Sequence, residues 1–228
     1  MLLRPFPTLC FLFLIYLFNP ALINGQSKAS NYLLEILPNT YNQGEYKIAL
    51  DRLSDLRPKI EKLDGVKSVV AGHVYAWQSL IHASLSDFEN YSIELKKAEK
   101  VLSGCAPSAQ GYFAANLVLA KSYSIYGDFN EALALLEKTQ AHIDSSNNDF
   151  KRYALEINRI NYQLGFLSKV KMNLKKDLKE LKTDTSSEKQ VGLTEMETLL
   201  LYIDILLDDG NFNEGLKIIK NKENQLNE

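Results

Sequence analysis

A short motif recurs five times along the chain: Gly44-Glu45-Tyr46, Ser86-Asp87-Phe88, Gly127-Asp128-Phe129, Gly165-Phe166-Leu167 and Gly210-Asn211-Phe212. Its first residues lie 42, 41, 38 and 45 positions apart. Three residues after each aromatic or Leu stands Ala49, Tyr91, Ala132, Val170 or Gly215. Four further on stands Leu53, Leu95, Leu136, Leu174 or Ile219. A unit of this size cannot bury its own apolar face, so a chain that repeats it is stable only when each copy stacks on the next.

Each triplet separates two segments whose apolar residues recur at helical spacing. The Gly, or another small residue, is expected to end the first helix in a left-handed conformation that closes the turn. The aromatic after it is expected to pack into the pair just formed. The small residue three later lets the two helices approach closely. The links from Ser103 to Gly111, Asp144 to Asp149 and Thr183 to Gly192 are rich in Ser, Asp, Asn, Thr and Gly and read as loops. None of them is long or biased enough to mark a domain boundary.

The clearest unit runs from Ala114 to Ala141. There Leu119, Ala120, Tyr123, Gly127, Asp128, Phe129 and Ala132 follow the consensus of the tetratricopeptide repeat (TPR), and the chain resembles that family. The last unit matches through Leu199, Tyr202, Ile203, Leu206, Gly210 and Phe212, and departs at Gly215, where Ala is expected. The first matches from Gly44 to Leu50 but carries Pro38 in its first helix, which is expected to kink or shorten it. The second, with Ser86 and Tyr91, and the fourth, with Asn158 and Val170, are degenerate. The usual repeat is about 34 residues; the longer period here resembles the repeats of kinesin light chains and of the helical regions that precede CHAT-type peptidase domains.

What the resemblance implies is an all-α, right-handed α-solenoid of about five TPR-like units, at approximately 31–64, 70–103, 112–144, 150–183 and 194–227. Folds of this kind bind proteins or peptides and are not normally enzymes.

Before the repeats, Met1 to Thr8 carry one cation, Arg4, and Leu9 to Phe18 form ten residues that are all apolar apart from Tyr16. Asn19 and Pro20 break that run, and small residues follow at Ala21 and Gly25. This is the layout of a secretory signal peptide, and the run is shorter than the roughly 20 residues that span a bilayer. Cleavage after Gly25 is expected, giving a periplasmic or secreted chain from Gln26 to Glu228 that no longer contacts the membrane. An uncleaved anchor is the alternative. That chain keeps a single cysteine, Cys105, so no intramolecular disulfide supports it.

The formal net charge is −2, and loss of Arg4 makes it −3, which argues against bulk electrostatic binding of nucleic acid. His73, His82 and His142 lack metal-ligand spacing, and no nucleophile, zinc or phosphate-loop motif is present, so no cofactor is expected. A Cys105–His82 dyad has no local support. Asn90-Tyr91-Ser92 fits a glycosylation acceptor pattern but falls inside an expected helix. Lys169, Lys171, Lys175, Lys176, Lys179 and Lys182 make one helix basic, with Asp177 and Glu180 interspersed; a solvated face is the ordinary reading and an anionic partner the sharper one.

In TPR proteins fixed positions of each first helix line an inner, concave surface. Carried over by register, the resemblance assigns to that surface Tyr41 and Asn42, His73 and Leu80, Lys121 and Ser124. It further assigns Arg152, Arg159, Tyr162 and Gln163, then Glu197, Asp204 and Asp208. Lys121, Arg152 and Arg159 predict a groove centre that favours an acidic or carboxylate-bearing protein segment, beside an acidic end. The carboxylate clamp of chaperone-binding members is absent, since Leu34 and Pro38 occupy its first two positions. Two functions follow as expectations: an extracytoplasmic adaptor that holds a peptide or protein in the groove, or the leading helical segment of a larger protein such as a CHAT-type peptidase or a membrane sensor.

Overall fold

The computed structural model describes residues 29, 31–144, 147–183 and 193–226. The segment read as a signal peptide and most of the link from Thr183 to Gly192 lie outside the described residues. Among the described residues ten α-helices run in order: α1 (Leu37–Asn42), α2 (Tyr46–Leu63), α3 (Val69–Ser84), α4 (Phe88–Leu102), α5 (Tyr112–Tyr126), α6 (Phe129–Gln140), α7 (Asn148–Gln163), α8 (Leu167–Thr183), α9 (Leu193–Asp208) and α10 (Phe212–Leu226). The same residues contain no strand.

All five triplets are helix-ending turns of one geometry. Gly44, Ser86, Gly127, Gly165 and Gly210 each hold positive φ, between 58° and 103°. In each turn the left-handed residue and the next one donate backbone N–H bonds back to the end of the first helix. Gly127 N–H reaches Ser124 O at 3.2 Å and Asp128 N–H reaches Tyr123 O at 2.9 Å; Ser86 and Asp87 repeat the pair to Ala83 O and His82 O at 3.0 and 2.9 Å. Two of the carbonyls that a helix C-terminus leaves open are thereby satisfied. Ser86 shows that the left-handed geometry belongs to the turn even where the residue carries a Cβ, at a steric cost that glycine avoids.

The second helix of each pair starts at the third residue of the triplet. Ala49, Tyr91, Ala132, Val170 and Gly215 are all buried, although the second and fourth units carry Tyr91 and Val170 where a small residue was expected. The aromatics themselves do not follow one rule. Phe88 and Phe212 are 56% and 58% exposed, which corrects the expectation that they pack into their own pairs. A residue at the first turn of a helix sits at the edge of the hairpin, and burial there needs a covering neighbour. Pro38 shortens α1 as expected, and the helix widens before it. Tyr32–Ile36 is a π-helical turn in which Leu37 N–H bonds to Tyr32 O. Proline then follows without the clash its ring would make against a tight preceding turn.

Packing divides the chain into two compact units between Ser122 and Tyr123. In the first, α3 is buried on nearly every side, from Val69 through Ile81 with few gaps. Its sequence, VVAGHVYAWQSLIHAS, is apolar all round, which suits a helix enclosed by others. Ser68 caps its N-terminus, accepting a bond from Ala71 N–H at 3.1 Å. Gly72 admits Leu102 of α4 so closely that a Cβ there would lie 2.7 Å from Leu102 Cδ2. The buried hydroxyls of Ser79 and Ser122 satisfy one another at 2.7 Å. In the second unit Leu155, Val170, Leu174, Leu201, Tyr202, Ile205 and Leu206 form one core from α7, α8 and α9, with Ile218 of α10 packed against it.

Candidate partner-binding site

In the first unit the assigned positions form an aromatic corner. Tyr41, half-buried near the end of α1, packs edge-on against Trp77 of α3 at 5.6 Å and shares a hydrogen bond with Ser84 Oγ at 2.8 Å. Asn42 is exposed beside it. His73 and Leu80 do not reach an open face: both lie on α3, are 4% and 1% exposed, and are enclosed because α3 is covered on all sides. His73 stacks with Trp77 at 6.5 Å, and its Nε2 has no hydrogen-bond partner. Burial pushes its pKa down to about 4, so the ring is neutral at pH 7. It borders a cavity of about 20 Å³ with Leu33, Leu34, Val69, Val70, Gln110 and Gly111, room for a single water. Lys121 is half-buried on α5 and already interacts with other groups.

The second unit gathers more of the assigned residues on the first helices α7 and α9. Ser124 donates to Gln163 Oε1 at 3.2 Å. Arg159 bridges Glu156 at 3.2 Å and, across the helix pair, Glu197 at 3.1 Å. Tyr162 donates its hydroxyl to Asp208, and that bond holds the phenol pKa up at about 12. Asp204 is exposed nearby. Arg152 is the loosely held cation of the set, exposed and 3.9 Å from Asp149. The result is a polar face of alternating sign, in which Arg159 is turned toward carboxylates of its own unit.

A second polar cluster gave no signal as a repeat position. Arg57 of α2 bonds Glu61 at 2.7 Å, Glu94 of α4 at 3.1 Å and Gln78 of α3 at 3.3 Å, and lies 4.8 Å over the Tyr75 ring. Lys97 closes on Glu94 at 2.7 Å. Arg57's bond and the Tyr75 hydroxyl hold the Glu61 carboxyl below its usual range. The Arg57/Glu61 spacing of four was the one legible cue, and an i,i+4 pair alone does not announce a three-helix junction.

The Cys105 thiol bonds Val101 O at 3.2 Å and burial raises its pKa, the opposite of what a nucleophile needs. His82 is paired with Asp87 at 3.0 Å. Asn90 Nδ2 donates to Asp87 Oδ2 at 2.9 Å in the first turn of α4, and Tyr91 beside it is buried. On α8, Lys169, Lys175 and Lys176 are exposed and Lys171 bonds Asp209; the side chains of Lys179 and Lys182 lie outside the described residues. Among the described residues no cluster of three metal-ligating side chains exists, and no helix is long and apolar enough to cross a membrane.

Two solved structures are similar to this chain. Both are of a Podosopora anserina protein described as a kinesin light chain with nearly identical TPR-like repeats. One is a single-residue variant of the other; the variant has a TM-score of 0.61 and its parent 0.59. In each case the identity is 13%, and the match covers 88% of this chain and 92% of that one. The fold is an α-solenoid of TPR-like repeats. At this identity the likeness concerns the fold. No family model matches the sequence, and no curated protein matches it.

Proposed function

We propose that this protein is an extracytoplasmic interaction scaffold that binds an extended peptide or protein segment through its first helices. The observation that carries the reading is the polar row on α7 and α9. There Arg152, the Arg159–Glu197 pair, the Tyr162–Asp208 bond and Asp204 place charges of both signs on one side of a TPR-like unit. Alternating charge orients a ligand and discriminates against reversed ones. Arg152 is the group best placed to take a carboxylate of an acidic segment, since guanidinium offers two parallel donors. Export rests on the signal-like layout from Met1 to Gly25.

The test is a pull-down with Gln26–Glu228 as bait, identification of the captured protein by mass spectrometry, and titration of its binding segment at low and high salt. Arg152→Ala with Arg159→Ala is expected to weaken binding at least tenfold and to flatten the salt dependence. Equal affinity in a variant of unchanged helicity sinks this face as the binding site. Fractionation that finds the full-length chain in the cytoplasm sinks the location.

A further inference from the structure

In the second unit the α7–α8 pair receives α9 on one side. Leu155 of α7 and Leu174 of α8 are 4% and 0% exposed, packed in one core with Leu201, Tyr202 and Ile205 of α9. Counted from the left-handed glycines, Leu200 stands on α9 where Leu155 stands on α7, ten residues before Gly210 and Gly165 respectively. Ile219 stands on α10 where Leu174 stands on α8, nine residues after the same glycines. Leu200 and Ile219 are 54% and 46% exposed. Leu207, Phe212 and Leu216 extend the same strip and are exposed as well. The side on which α7 and α8 hold α9 is therefore repeated on α9 and α10 in aliphatic and aromatic residues, and no described helix lies on it. An apolar patch of this extent marks an interaction surface.

We propose that the α9–α10 face is a self-association surface, covered by the same face of a second copy of this chain about a two-fold axis. The charges on its rims select a copy over an arbitrary apolar helix. The α9 rim is acidic, at Asp204 and Asp208, and the α10 rim carries Lys220, all exposed. A two-fold axis that lays α9 of one copy over α10 of the other sets the acidic rim against Lys220, and the symmetry makes the match twice. The apolar strip supplies the driving force and the rims set the register.

Sedimentation equilibrium on Gln26–Glu228, from low micromolar to about 100 μM, tests this. A reversible dimer is expected, with Ile219→Asp and Leu200→Asp each raising the dissociation constant at least tenfold while helicity and thermal midpoint hold. Asp204→Lys is expected to weaken the dimer, and Asp204→Lys with Lys220→Asp to restore it. A monomer throughout the range overturns the proposal. So does a dimer that Ile219→Asp leaves intact, or a charge exchange that restores nothing.

Discussion

The guanidinium of Arg159 lies 3.1 Å from the Glu197 carboxylate on the neighbouring first helix and 3.2 Å from Glu156 one turn back on its own. Arg152, two turns earlier, reaches Asp149 at 3.9 Å. Two residues of one type, assigned to one surface, thus differ in setting: Arg159 ties α7 to α9, and Arg152 is held only at the edge of ion-pair distance. Arg159→Ala is expected to lower stability by about 1 kcal/mol, because the pair is a third exposed and partly screened, and Arg152→Ala by less than about 0.5 kcal/mol. Urea denaturation of the two variants checks this; equal losses would place both arginines in the same kind of environment.

Ser86 is the one non-glycine residue among the described ones that holds positive φ. Ser86→Gly is expected to stabilise the protein by about 1 kcal/mol by removing that strain, and Gly165→Ala, at φ 84°, to destabilise it by a similar amount. Thermal midpoints moving in the same direction for both would contradict the turn geometry.

Gly72 and Gly215 are both helical, yet alanine has opposite expected effects. At Gly72 the new methyl would lie 2.7 Å from Leu102 Cδ2 and 2.9 Å from its Cγ, so overpacking is expected to outweigh the gain in helix propensity and cost about 1–2 kcal/mol net. At Gly215 it would meet Leu207 Cδ2 at 3.7 Å, an ordinary contact, and the propensity gain of about 1 kcal/mol remains. Chemical denaturation of the two variants checks the signs.

Neutral, buried His73 makes stability pH-dependent. Its folded pKa of about 4 lies below the ordinary 6.5, so between those values the unfolded chain binds a proton that the folded one does not. Its contribution is complete above pH 6.5 and is lost as pH falls toward 4, by up to about 3 kcal/mol. Wild type is expected to lose that much more than His73→Phe over this window, which removes the carboxylates' shared contribution from the comparison. Parallel stability curves would show that the imidazole stays hydrated.

Several features were legible because their cause is local. The turn at Gly127 needs a residue that tolerates left-handed backbone, and the hydrogen bonds that close it reach back no further than Tyr123. Even the degenerate turn at Ser86 is marked by its spacing. The candidate site was legible only as a set of register positions. His73 and Leu80 occupy such positions but sit on α3, which other helices enclose. The junction around Arg57 joins residues 21 and 37 positions apart, and no single helix period displays it.

Taken alone, the amino-acid sequence determined the helical pairs and the left-handed turns, since steric limits and hydrogen bonds within a few residues decide them. The tertiary structure decided which side chains meet solvent. It turned Arg159 onto Glu197, buried His73 against Trp77, left Phe88 and Phe212 outside, and covered Leu174 while leaving its counterpart Ile219 bare. Burial depends on which helix lies above a residue, and that neighbour is placed by packing between helix pairs, not by the residue's own place in the repeat.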